Sequence, residues 1–210
     1  MFVLTLTQRV ADAARPDPAV DREVCRQLSG LPARAPFQPT GPGLVRGLTQ
    51  HADAAVDATM IALRENRYAV GIGVGDVFLT RVDQEDGRVA VTAEGPGMAF
   101  GHHAAQHVRR TDRVSVRVSA ADPVAAEQAE AVLTLVGQVV AERSEAEWRV
   151  VDLMVPGARG QQRTVAQQLG ITPQAVSKAV VRSLWNEEWR ARPAAATLLR
   201  LCESAESFQG

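Results

Sequence analysis

The sequence predicts an α+β fold: a small sandwich of strands and helices over residues 1–121, then a purely helical region to the C-terminus. Three observations predict it. Short runs of continuous or alternating apolar residues at 2–7 (FVLTLT), 68–79 (YAVGIGVGDVFL), 88–92 (RVAVT) and 113–119 (RVSVRVS) read as strands. Helical spacings fall between them, in a βαβ-like order. After Asp122-Pro123 the strand patterns stop and helical ones fill the chain.

Taken in order, residues 2–7 form the first strand. A helix follows Pro16-Asp17-Pro18, because Val20, Val24 and Leu28 recur at spacing four. Gly30 to Pro42 is rich in proline and glycine and reads as a loop, with a short strand or turn at Gly43–Gly47. A helix is expected from His51 to Glu65, with Ala55, Val56, Thr59, Met60 and Leu63 on one side. Tyr68–Leu79 is then a strand, turning at Asp83–Gly87 into its hairpin partner Arg88–Thr92. Gly95-Pro96-Gly97 breaks the chain, Met98–Arg110 is helical, and Arg113–Ser119 is the last strand. A ferredoxin-like or similar sandwich would accommodate this order. Residues 122–143 hold a connecting helix at 124–142, and residues 144–210 form a third segment ending in a helix after Pro193.

Composition bounds the function. The chain has 210 residues, 46% hydrophobic and 22% charged, enough apolar surface for a sizeable core. The opening MFVLTLT lacks the basic flank of a signal peptide, and there is no uninterrupted apolar run of 18 residues, so a cytoplasmic protein without a membrane segment is expected. Cys25 and Cys202 stand alone and read as reduced, buried thiols. Net charge is −1, which excludes a uniformly basic nucleic-acid binder. The charge is uneven, however: between Ala158 and Arg192, six cations (Arg159, Arg163, Lys178, Arg182, Arg190, Arg192) face two carboxylates, Glu187 and Glu188. Lys178 is the one lysine in the chain.

The C-terminal segment carries the most specific pattern. Ser144-Glu145-Ala146-Glu147 is a capping box that starts a helix, and Trp148, Val151, Leu153 and Met154 supply its apolar stripe before Pro156-Gly157. A second helix runs from Gln162 to Leu169 with Val165, Ala166 and Leu169 inward. Gly170 follows where a left-handed residue ends a helix, Ile171 plugs the turn, and Thr172-Pro173 restarts the chain as N-cap and first helical residue. Val176, Val180 and Leu184 then recur at spacing four and are expected to be buried. A small Ala166, a turning Gly170 and a buried Val176 sit at the offsets that a helix-turn-helix requires. With those residues inward, Gln174, Ser177, Lys178, Val181 and Arg182 lie on the opposite face. Gln174 suits adenine, and Lys178 or Arg182 suits guanine or phosphate. Thr172, Gln162 and Arg163, at helix starts, suit phosphate.

The stretch from Ser144 to Arg190 resembles the helix-turn-helix of LuxR-type regulators and of sigma factor region four, and is similar to MarR-like ones. The resemblance implies a regulator that reads double-stranded DNA as a homodimer, without a cofactor and without catalysis. Residues 1–121 would then be a sensor for a small-molecule or protein effector. The order of the first strand, the GIGVGD segment at Gly71–Asp76, the EGPGMAFGHHAAQHVRR segment at Glu94–Arg110 and the C-terminal pattern also resembles SatD-family proteins. That family tends to carry an acidic residue after the first strand and a Gly-Asp-Glu turn before the central helix. This chain has Thr7-Gln8-Arg9 and Gly41-Pro42-Gly43 there. Any metal or nucleotide role of those carboxylates in relatives is therefore expected to be lost.

Gly71, Gly73, Gly75 and Asp76 form neither a dinucleotide fingerprint nor a P-loop; alternating glycines in a strand admit close packing of a helix or of a ligand. His103 and His107 have the spacing of a two-histidine metal site, but no third ligand is evident and no metal is expected. The alternative function is a nucleotide-binding or enzymatic N-terminal domain with a protein-docking helix-turn-helix. A third possibility is an interaction protein that binds polypeptide through both parts.

Overall fold

The strand β1 (Phe2–Gln8) is buried along its whole length. Burial on both faces demands cover on both, and the rest of the chain supplies it. The computed structural model describes residues 1–10, 15–83, 89–108 and 113–204. After β1 come α1 (Pro18–Leu28), β2 (Ala35–Gly41), β3 (Leu44–Thr49) and α2 (Ala52–Leu63), which ends in a 3-10 turn (Arg64–Asn66). Then follow β4 (Tyr68–Val74), β5 (Phe78–Asp83), β6 (Val89–Glu94), α3 (Pro96–His107) and β7 (Val116–Ser119). Five helices complete the described chain: α4 (Pro123–Ala141), α5 (Glu145–Val151), α6 (Gln162–Leu169), α7 (Pro173–Arg182) and α8 (Trp185–Ser204). The fold is mixed α+β.

Five strands form one sheet in the order β2-β3-β1-β4-β7. β1 runs antiparallel to both neighbours, with Phe2 opposite Thr49 and Val74. β7 is parallel to β4, with Val70 opposite Val116, and α3 lies in the crossover between them. Phe2, Leu4 and Leu6 of β1 and Tyr68, Val70, Ile72 and Val74 of β4 share one core with α1, α2, α4 and α8. On the other face α3 packs on β1, β4 and β7. Two helices begin as the sequence dictates: Asp17 and Asp122 accept hydrogen bonds from the first free amides of α1 and α4, each followed by proline at the first helical position. By length and composition α4 could cross a membrane. Its Ala126, Ala129, Leu133, Val136 and Val140 are buried in the core, whereas Val124 and Leu135 are exposed.

Several expectations need correction. The Gly30–Pro42 loop contains β2, a strand disguised by Pro36 and Pro39. Proline is tolerated there because β2 is an edge strand, with one side free of ladder bonds. The expected strand 68–79 is two strands. β4 ends at Val74, and the Asp76 carbonyl accepts a hydrogen bond from Gly97 N at 2.9 Å, while β5 leaves to pair with β6 in a separate two-stranded sheet. Residues 84–88, most of the expected turn and the start of its partner, lie outside the described residues, as do Arg109 and Arg110. The last strand is shorter than 113–119. The C-terminal helix begins at Trp185, and Pro193 lies inside it. Leu199 and Cys202 are fully buried in the chain's own core, which leaves them out of any surface between copies, and burial pushes the Cys202 thiol up to about 11. Cys25 is only half-buried.

Candidate nucleic-acid interface

Helices α5, α6 and α7 pack around a small core of their own, made by Val150, Val151, Val165, Ala166, Val176, Val180 and Trp185. The starts of α5 and α7 have a local cause. Ser144 Oγ accepts from Glu147 N at 3.3 Å, and Glu147 Oε2 accepts from Ser144 N at 2.9 Å, closing the capping box. These bonds hold the Glu147 carboxyl below its ordinary range. Gly170 ends α6 at φ 65°, and Ile171 N donates back to Ala166 O at 3.0 Å. Thr172 Oγ1 accepts from Ala175 N at 3.2 Å and starts α7. The connection between α6 and α7 is therefore three residues long, each with an identified conformational role.

Burial places the expected site residues as follows. Val176 and Val180 face inward. Gln174, Ser177, Lys178, Val181 and Arg182 are exposed on the outer side of α7, and Thr172 and Arg163 are exposed nearby at helix starts. Gln162 is half-buried. Lys178 makes no ion pair or hydrogen bond among the described residues, whereas Arg182 Nε lies 3.6 Å from Glu147 Oε1. Three expected apolar contacts are not made. Leu184 is 45% exposed, because α7 stops at Arg182 and Leu184 takes φ 49° outside the helix; Trp185 fills the core instead. Ile171 is 41% exposed and Leu153 40%.

The exposed Ile171 has a setting. Between α5 and α7 runs a groove of about 450 Å³ floored by Val150, Leu169, Ile171, Ala175 and Ala179 and rimmed by Arg149, Lys178 and Arg182. Arg149 was not expected at this site; its position on the outer face of the capping-box helix is the signal that could have found it. Gln161 was also missed. Its side chain accepts from Val155 N at 2.6 Å and donates to Val155 O and Ala158 O at 2.8 and 2.9 Å, which pins the 155–161 loop before α6. No helical periodicity reports such a bond.

The three helices are tied to the helices that cover the sheet by charged groups. Arg143, at the end of α4, is buried and donates to Ser183 O at 3.0 Å and to the buried Glu188 at 2.7 Å. Arg192 pairs with Glu188 and reaches Asp57 of α2 at 2.6 Å. Arg64 holds Asp152 with two bonds, at 2.9 and 2.7 Å, and its guanidinium lies 4.2 Å over the Trp148 ring.

In the N-terminal part, α3 takes the space in front of the glycine strand. A Cβ on Gly71 would stand 2.6 Å from Ala105 N, and one on Gly73 only 2.0 Å from Gly101 N. Gly75 and Asp76 stand at the turn after β4, where Gly75 N donates to Met1 O at 3.1 Å and the Asp76 side chain is exposed. His103 and His107 stack with ring centres 4.1 Å apart; His103 Nδ1 is 2.9 Å from Ser119 Oγ and His107 Nδ1 2.9 Å from His103 O. No group of three potential metal ligands occurs among the described residues. No protein-family model, curated protein or solved structure matches the chain.

Proposed function

We propose that the protein is a sequence-specific DNA-binding transcriptional regulator in which α5, α6 and α7 form a helix-turn-helix, α7 is the recognition helix, and two copies act together on a pseudo-palindromic site. The observation that carries this reading is the division of α7: Val176 and Val180 are spent on the core, while Gln174, Ser177, Lys178 and Arg182 stand together on the exposed face. An amide, a hydroxyl and two cations are what base edges and phosphates recognise. The left-handed Gly170 and the Thr172 cap support the short reversal that such a unit needs. Residues 1–121 are read as a ferredoxin-like sensor or partner platform. The β1-α1-β2-β3-α2-β4 order and the strand sequence β2-β3-β1-β4 favour that arrangement, with β7 as an addition. A cytoplasmic location belongs to the same reading.

The test is fluorescence anisotropy against a genomic-fragment pool and a random duplex at two salt concentrations. Selective binding with a steep salt slope is expected, and Lys178→Ala with Arg182→Ala should weaken it by about tenfold or more at fixed salt. Unchanged affinity in that double variant sinks the reading. Absence of DNA binding together with a stable protein complex would favour docking of a polypeptide into the apolar-floored groove.

A further inference from the structure

We propose that a second site, on the sheet region, binds a small organic anion: an apolar body carrying a carboxylate or phosphate. The site is a cleft of about 490 Å³ between β2–β3 and the β5–β6 hairpin. Its origin lies in the covering of the sheet. α3 packs on β1, β4 and β7, so that face of β2 and β3 is left without a helix. Along β3, Val45 goes to the main core, and Arg46 and Leu48 line the cleft. The hairpin stands opposite as a separate sheet and contributes Leu79 and Val91.

The chemistry of the cleft is one-sided. Arg46 Nε donates to the buried Thr5 Oγ1 at 3.2 Å, which orients the guanidinium, and its terminal nitrogens make no hydrogen bond or ion pair among the described residues. The Arg34 side chain is exposed beside it, also without a partner among the described residues. No carboxylate is among the described lining residues. A half-buried guanidinium held in place without a counter-charge is a preorganised fork for a carboxylate or phosphate. The opposite wall is apolar: Leu79, Val91 and Met98 flank the space, and Val91 is 58% exposed. A bare inorganic ion would leave that wall wet, and a neutral apolar molecule would leave the arginines unpaired. The volume suits a ligand of drug-like size.

Isothermal titration of the full chain with octanoate, octyl phosphate, octanamide and inorganic phosphate tests this. Saturable binding of octanoate or octyl phosphate below about 1 mM is expected, with octanamide and inorganic phosphate at least about tenfold weaker. The tighter of the two amphiphiles identifies the head group. Arg34→Gln and Arg46→Gln should each weaken binding by about tenfold, and Val91→Asp, which sets a carboxylate on the exposed wall, should abolish it. Arg34 and Val91 are exposed, so those two variants keep the test valid if Arg46→Gln loosens the sheet. No saturable binding of either amphiphile, equal binding of octanamide or inorganic phosphate, or unchanged affinity in Arg34→Gln and Val91→Asp overturns the proposal. No DNA is present in these titrations, so their outcome is independent of the DNA-binding reading.

Discussion

Glu147 serves two neighbours at once: it closes the capping box with Ser144, and its other oxygen lies 3.6 Å from Arg182. Its carboxyl is held below the ordinary 4.5, first by the hydrogen bond from the Ser144 backbone. A depressed folded value means that the stabilisation is fully present above the unfolded value and is lost as pH falls through the folded one. Urea unfolding should therefore show Glu147→Gln destabilised relative to the parent at neutral pH, with the gap closing as the solution is acidified below about pH 4. A gap independent of pH would mean that the capping bond, and not the charge, matters. Ser144→Ala should cost about 1 kcal/mol by the same assay. Because Arg182 is a proposed DNA contact, Glu147→Gln also frees that side chain. It should tighten DNA binding modestly, an effect that added salt reduces.

At the level of elements, two glycines of the same residue type do different work. Gly170 needs its left-handed φ of 65°, but a Cβ there would meet nothing within 4 Å. Gly170→Ala should accordingly cost only about 1–2 kcal/mol, and α6 and α7 should keep their helicity by circular dichroism. Gly73 is in a strand, and a Cβ there would meet the backbone of α3 at 2.0 Å. Backbone cannot rotate aside, so Gly73→Ala should cost about 3 kcal/mol or more, as a drop in melting temperature. Equal effects at the two positions would contradict the close seating of α3 on β4. That seating also leaves β2 and β3 uncovered on the same face, and so the spacing of two glycines decides where the anion cleft can exist.

Across the whole molecule, α8 joins the two cores. Trp185 and Trp189 belong with α5, α6 and α7, whereas Ala195, Ala196, Leu199 and Cys202 pack with α2 and α4 against the sheet side. Arg143 and Glu188, both buried, and the half-buried Arg192 and Asp57 reinforce the joint with mutually satisfied charges. Of the chain's three tryptophans, Trp185 and Trp189 report on the helical side of that joint, and Trp148 packs against both cores. Leu199→Ala should cost about 2–5 kcal/mol, and it should shift the fluorescence transition together with the far-ultraviolet one. A fluorescence transition left in place would show that the two cores unfold independently.

The sequence alone determined the features that arise within a few residues. The caps at Asp17, Asp122, Ser144 and Thr172 and the reversal at Gly170 are satisfied by neighbours two to four positions away, and the inward Val176 and Val180 follow helical spacing, so their pattern is visible without a fold. The exposed face of α7 followed from the same periodicity. Tertiary structure alone decided the rest, because it depends on partners distant in the chain. Pro36 and Pro39 mark a loop until pairing with β3 makes β2 an edge strand. Nothing local separates β4 from β5, since the break comes from Gly97 bonding back to Asp76. Leu184 kept the helical spacing yet lost its burial to Trp185, and Leu199 and Cys202 found their place in a core built mostly from residues more than 50 positions earlier. Arg34 and Arg46 share a cleft because the sheet leaves β2 and β3 bare, which no spacing along the chain could reveal.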